Sequence, residues 1–348
     1  MTDFHSIPPR QRLLRALRGE PADRVPAWLM RQAGRYLPQY QEVRRKFDFL
    51  ELCKTPEAAA EVSIQPLEAI GSEAVIIFND ILLPLEHAGA KIAFDDHGPI
   101  VLNPVAGGAD LTHLAERGVS RDEPVAETIR EVRRRIGPEW PILGFAGSPF
   151  TLAAYWAEGR LGRQMSRIGA LRAQQPELLI QLLERITRAA ADYLRIQIEA
   201  GADAVQIFDT WGASLSQSDW GRFSAPYIRR LAEVAAPTNT PVILYIGGCA
   251  PYLEQVNALG IDAMSVDWRV ELAFARARLD PKIALQGNLD PTVLLAGPAA
   301  ASAAVAAMFE KFPPRPGHVF NLGHGVLPET PVESARAAIE AVKRFGVY

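Results

Sequence analysis

Leu67-Glu-Ala-Ile-Gly-Ser-Glu-Ala-Val-Ile-Ile-Phe-Asn-Asp80 returns, slightly shortened, as Ile198-Glu-Ala-Gly-Ala-Asp-Ala-Val-Gln-Ile-Phe-Asp-Thr210. A fainter third copy is Leu259-Gly-Ile-Asp-Ala-Met-Ser-Val-Asp-Trp268. Each copy reads as a helix end, a glycine stop, an acidic residue two positions on, and a short β-rich run. Gly71, Gly201 and Gly260 suit the left-handed turn that closes a helix, because glycine has no Cβ to clash there. The runs that follow are apolar without alternation, as parallel strands covered on both faces should be.

Working outward, the same character marks Ala27–Met30, Ala74–Phe78, Ile142–Phe145, Val242–Ile246, Ile283–Leu285 and His318–Asn321. Helical segments separate them. In Pro176–Ala200, Gln181, Glu184, Arg188, Asp192, Arg195 and Glu199 form one polar face and apolar residues fill the other. Thr330-Pro-Val-Glu333 reads as a capping box with proline at the first helical position. About eight strands alternating with helices predict a (β/α)8 TIM barrel. It is expected as a single domain over 1–348, with residues 1–10 a disordered lead-in. A doubly wound sheet is the alternative, but no G-x-G-x-x-G follows the first strand.

Bulk properties narrow the function. With 48% hydrophobic and 22% charged residues, the chain has enough apolar material for a large core. A net charge of −3 gives no general attraction to nucleic acid or to an anionic membrane. Cys53 and Cys249 are far apart, which fits a reducing compartment and argues against a disulfide scaffold. No apolar signal core opens the chain, and a cytoplasmic location is expected. The uncharged stretch Trp140–Ala157 contains two prolines and two glycines, so it is expected as a buried strand plus loop rather than a membrane span.

In a barrel, chemistry collects where strands end and loops begin. Pro26-Ala-Trp-Leu-Met-Arg-Gln-Ala-Gly-Arg35 runs from an apolar strand into two arginines four apart. Such forks match carboxylates two at a time, which suggests a ligand with several acid groups. Asp80 ends another strand, where it is either a helix N-cap or an acceptor for several donors. Thr210 lies nine residues after Gly201, as Asp80 lies nine after Gly71, so the two are expected at equivalent rim positions. Asp209 and Asp267 are weaker candidates for the task given to Asp80. His324, between two glycines in Asn321-Leu-Gly-His-Gly325, is either a core histidine or an exposed donor. Tyr155 falls on the helix opening after Gly147–Thr151, where ordinary packing competes with a role in the site. No lysine closes a strand, which disfavours a Schiff base. His87, His97 and His113 lack metal-ligand spacing. A rim with arginines, a carboxylate, a hydroxyl pair and an imidazole suits an acidic substrate that supplies its own electron sink.

Two of these segments together resemble the signature segments of the uroporphyrinogen decarboxylase family. They are Pro26–Arg35 and Gly144-Phe-Ala-Gly-Ser-Pro-Phe-Thr-Leu-Ala-Ala-Tyr155. Phe78-Asn-Asp80, Phe208-Asp-Thr210 and Asn321-Leu-Gly-His-Gly-Val-Leu-Pro-Glu329 match it as well, so the likeness runs from about Pro26 to Val342. The resemblance implies a (β/α)8 barrel, a homodimer, and no metal or organic cofactor. It implies removal of the four acetate carboxyl groups of uroporphyrinogen III, giving coproporphyrinogen III and carbon dioxide in haem and tetrapyrrole synthesis. By position, Arg31, Gln32, Ala33, Gly34 and Arg35 match a substrate-binding loop. Asp80, Tyr155 and His324 match an aspartate, a tyrosine and a histidine of the family's site, and Thr210 stands where members carry Ser or Thr. The implied catalytic set is Asp80, Arg31 and Tyr155; the substrate-binding set is Arg31–Arg35, Asp80, Tyr155, Thr210 and His324. Asn79 stands where many members have Ser.

Two rivals remain at this stage. Zinc methyltransferases of the same superfamily carry a His-x-Cys pair after a mid-barrel strand. Here Tyr245 and Gly247 occupy those positions and Cys249 comes two residues late. A tetrapyrrole carrier without catalysis would keep the arginines and lose Asp80 or Tyr155, and both are present.

Overall fold

The computed structural model describes residues 7–95, 98–112, 118–162 and 164–348. Its strands are β1 (Val75–Ile76), β2 (Ile92–Asp95), β3 (Gly98–Val101), β4 (Ile142–Gly147), β5 (Ala204–Asp209), β6 (Val242–Ile246), β7 (Ala263–Ser265), β8 (Ala284–Gln286) and β9 (His318–Val319). Seven of them form one curled parallel sheet in the order β1-β4-β5-β6-β7-β8-β9. Parallel neighbours need crossovers, and helices supply them. Pro176–Glu199, between β4 and β5, buries Leu178, Leu182, Ile186, Ala190 and Leu194 along one stripe. The expected helix there ends one residue earlier than its sequence reading.

The three glycines do end their helices with positive φ: +71° at Gly71, +108° at Gly201 and +72° at Gly260. The acidic residue after each then makes the same two-way contact with a neighbouring segment. The Glu73 carboxylate accepts the Ala27 N–H at 3.1 Å, while the Glu73 N–H donates to the Ala27 carbonyl at 2.9 Å. Asp203 does this with Ile142, at 2.8 and 2.7 Å. Asp262 does it with Val242, at 2.8 and 2.9 Å. These acids therefore pin the N-terminal ends of the strands. Glu73 is 4% exposed and also binds Arg12 and Arg24.

Four expectations need correction. Ala27–Met30 forms no ladder; Ala27 makes one parallel bridge, to Phe320. Side chains take up three of its backbone N–H groups. Gln32 Oε1 accepts the Leu29 N–H, Asn321 Oδ1 accepts the Met30 N–H, and Glu73 holds Ala27. The hairpin β2–β3 was not anticipated, because Pro99 within a run argues against a ladder strand. Thr330 is no cap. The last helix begins at Val332, Pro331 precedes it, and the buried Thr330 hydroxyl has no partner. Trp140–Ala157 is β4, a corner at Ser148 and the helix Pro149–Glu158, not a strand plus loop. Pro9 and Arg10 already belong to the helix Pro9–Leu17, against the expectation of disorder through residue 10; residues 1–6 lie outside the described residues, as do His97 and His113. Among the described residues, no helix is long and apolar enough to cross a membrane.

Candidate active site

The C-terminal ends of the strands carry a different population of side chains from the N-terminal ends. Beyond β1, Asp80 is half-buried and its Oδ1 accepts the Leu82 N–H at 2.8 Å. Burial pushes this carboxyl up to about 6, against the pull of the Leu82 N–H and the positive charge of Arg31. Asp80 is therefore not a helix N-cap: the next helix starts at Leu83, with Leu82 before it. Asp209 shows what a satisfied carboxylate looks like on the same rim. It is fully buried and accepts from Ser148, Thr151, Trp220 and Ser224. Asp267 is equally committed, to Arg269 and the Gly248 N–H. Neither has capacity left for a ligand.

Arg31 faces Asp80 from a backbone conformation that side chains seldom adopt, φ +59°. Its neighbours hold it there. Met30 donates to Asn321 Oδ1 and accepts from the Val326 N–H, both at 2.8 Å. Gln32 is 0% exposed; its Oε1 accepts from Leu29 and Ser72 and its Nε2 donates to the Ala74 carbonyl. The expected ligand contact for Gln32 is thus corrected: its side chain is spent on the scaffold that clamps Arg31. A Cβ on Gly325 would lie 2.4 Å from Arg31 Cδ, so this glycine makes room for the arginine stem. Ala33 packs on the core, and Gly34 gives its carbonyl to the Leu37 N–H. Arg35 is exposed on the same turn, and its charge is felt at Tyr40.

Tyr155 and His324 complete the cluster. Burial and then the charge of Asp80 raise the Tyr155 phenol, which shares a hydrogen bond with the Trp211 side chain. His324 is held down to about 4 by burial and by Arg31, so its ring is neutral through the physiological range. It sits edge-on to Tyr245 and Trp268, with ring centres 6.2 and 6.0 Å away. Thr210, half-buried, immediately precedes Trp211. The register places Ile76 beside Leu143 and Leu143 beside Ala204, so Thr210 stands two residues beyond the level of Asp80. A stagger of that kind accompanies strand tilt in a curled sheet. Trp211, Tyr245 and Trp268 were missed from sequence. Trp211 directly follows the second repeat copy and Trp268 ends the third, which was the available signal.

Away from this cluster, at the opposite end, a cavity of about 480 Å³ is lined by Arg12, Arg24, Glu73, Trp140 and Lys343, with Glu73 paired to both arginines. Among the described residues, no group of three or more His, Cys, Asp and Glu is placed to hold a metal ion. The Cys249 thiol is buried, and burial pushes it up to about 11.

Comparison with known proteins agrees with this geometry. Residues 8–345 match the uroporphyrinogen decarboxylase family. A uroporphyrinogen decarboxylase of Geobacter metallireducens is 46% identical over 96% of this chain and 98% of its own length. One from Myxococcus xanthus is 43% identical over 97% of each. Among solved structures, a methyltransferase from Methanosarcina mazei superposes with a TM-score of 0.79 at 25% identity, covering 98% of this chain and 99% of its own. A B12-independent methionine synthase from Shewanella shares the fold at a TM-score of 0.55 and 11% identity, over 83% of this chain and 88% of its own.

Proposed function

The chain belongs to the uroporphyrinogen decarboxylase family, and from that premise we propose how its rim residues divide the work of a carboxy-lyase. The reaction takes the four acetate carboxyl groups from uroporphyrinogen III, leaving coproporphyrinogen III and carbon dioxide. The observation that carries the residue assignment is the contrast among rim carboxylates. Asp209 and Asp267 are saturated by protein donors, whereas Asp80 keeps one backbone N–H and faces Arg31.

Loss of carbon dioxide leaves an electron pair that needs a sink. Protonation of the pyrrole at the ring carbon next to the one bearing the acetate provides one. The C–C bond to the carboxylate breaks, and its electrons form an exocyclic methylene and neutralise the cationic ring. A proton then adds to the methylene to give methyl, and the first proton leaves the ring carbon to restore the pyrrole. A flexible reduced macrocycle can dome and point its four N–H groups at one acceptor. Asp80 is that acceptor, and its negative charge stabilises the cationic ring while it lasts. Arg31 and Arg35 hold acetates and propionates. Tyr155, Thr210 and His324 orient them by hydrogen bonds, His324 as a neutral ring. The resemblance to the family supports a homodimer in the cytoplasm, which sedimentation of the purified protein tests.

The same reading extends to the sheet. Segment 26–30 serves as the eighth strand of a closed barrel. Ala27 stands to Glu73 as Ile142 stands to Asp203 and Val242 to Asp262, and those two are the first residues of β4 and β6. Ala27 also bridges in parallel to Phe320, just past β9.

Anaerobic incubation with uroporphyrinogen III, with and without a chelator, tests the function. Conversion from eight carboxyl groups to four, indifferent to chelator, is expected. Binding without conversion would favour a carrier, and stoichiometric zinc on metal analysis would revive the methyltransferase rival.

A further inference from the structure

Asn79 stands between Asp80 and a buried phenol that the chemistry above does not use. Its Nδ2 donates to the Tyr193 hydroxyl oxygen at 2.6 Å. Its Oδ1 accepts the backbone N–H of Asp80 at 2.9 Å. Tyr193 is 3% exposed on the helix Pro176–Glu199, so this end of the bridge is anchored in the core. Asn79 is half-buried, and an amide with both ends engaged, one of them on a buried phenol, is held in place, because swinging that end away leaves the phenol without its partner.

We propose that Asn79 is a positioning residue for the decarboxylation, tying the backbone of Asp80 to the buried Tyr193 hydroxyl so that the carboxylate stays turned toward the substrate. An N–H left open next to a carboxylate would compete for its oxygens. With Asn79 occupying that N–H, one oxygen is steadied by Leu82 and the other is presented to the pyrrole N–H donors. A serine at 79 could not do both jobs. Its hydroxyl is one bond from Cβ and cannot reach Tyr193 and the Asp80 N–H together.

This inference rests on Asp80 being the acceptor, so its test runs Asp80→Asn beside Asn79→Ser, Tyr193→Phe and the Asn79→Ser/Tyr193→Phe double variant. Each is assayed anaerobically with uroporphyrinogen III, and thermal melts report the folded fraction. Asn79→Ser is expected to lower kcat about 5- to 10-fold with KM within about twofold of wild type, since orientation rather than binding is lost. Tyr193→Phe should lower kcat by a smaller factor in the same way. The double variant should be no worse than Asn79→Ser, because the two residues act as one bridge. An unchanged kcat in Tyr193→Phe, a rise in KM with kcat preserved, or a double variant equal to the product of the singles would overturn the proposal. Wild-type turnover in Asp80→Asn would instead bring down the reading of Asp80 itself, whatever the Asn79 variants do.

Discussion

Asp80, at the C-terminal ends of the sheet, is held in the opposite way from the carboxylates at the N-terminal ends. At the N-terminal ends, Glu73, Asp203 and Asp262 each grip the first residue of a neighbouring segment, and Glu73 and Asp203 each bind two arginines as well. At the C-terminal ends, Asp80 is surrounded by protein yet accepts one backbone N–H, and its carboxyl sits near 6. A paired carboxylate stabilises the fold. An under-paired one costs stability and is retained where a ligand will complete it. The first copy of the repeat thus carries a paired acid, Glu73, after its glycine and the under-paired Asp80 beyond its strand.

Exchanging charges for amides should separate these roles. Asp80→Asn is expected to keep the fold and lose turnover by at least about 100-fold, the scale of removing one group that stabilises transition-state charge. Product analysis by carboxyl number checks this, and near-wild-type rates would remove Asp80 from the mechanism. Glu73→Gln should do the reverse. It leaves Arg12 and Arg24 without their shared counter-charge, and is expected to cost about 3 kcal/mol in denaturant unfolding while kcat per folded molecule is retained. A fall in kcat as large as the Asp80→Asn effect would mean that the two ends are not separate.

A smaller effect is expected from Gly325→Ala. The new methyl collides with the Arg31 side chain, and Arg31, already at φ +59°, must move. About a tenfold loss in kcat/KM with little change in melting temperature is expected. A large loss of stability instead would make Gly325 a fold residue.

The pH dependence should be gentler still. Turnover by ionised Asp80 rises with pH through about 6. His324, held near 4, stays neutral across that limb and does not produce it. The pH–rate profile of His324→Asn should therefore keep the acid limb where wild type has it. A limb that moves by a unit or more would assign it to the histidine.

Much of this contrast was legible in the sequence. The glycine stops, the acids two residues later and the unalternating runs are local signals, and they located five of the seven sheet strands at or within a residue or two of their ends. Arg31, Asp80, Tyr155 and His324 could be singled out as candidates because each lies beyond a short apolar run, and the structure brings Asp80, Tyr155 and His324 within electrostatic reach of Arg31. What was hidden depends on contacts between distant segments. Gln32 looks like a ligand contact beside two arginines, but Ser72 and Ala74, some forty residues away, turn it inward. Ala27–Met30 reads as an ordinary strand, yet Gln32, Glu73 and Asn321 replace its ladder with side chains. Thr330-Pro-Val-Glu333 has the letters of a capping box, but the helix begins one residue too late for it. The difference between Asp80 and Asp209 is likewise unreadable from position, because both end strands and only Asp209 meets Trp220 and Ser224.

The most direct measurement is the denaturant stability of Asp80→Asn against wild type at pH 8. Burial raises the Asp80 carboxyl from 3.8 to about 6. Between these values the unfolded chain ionises while the native one keeps its proton, so stability falls as pH rises through that window and stays lower above it. At pH 8 the amide variant, with no charge to bury, is expected to be more stable than wild type, and the gain should vanish below about pH 4. A variant less stable than wild type at pH 8 would make Asp80 a structural carboxylate, and the division between the two ends would fail.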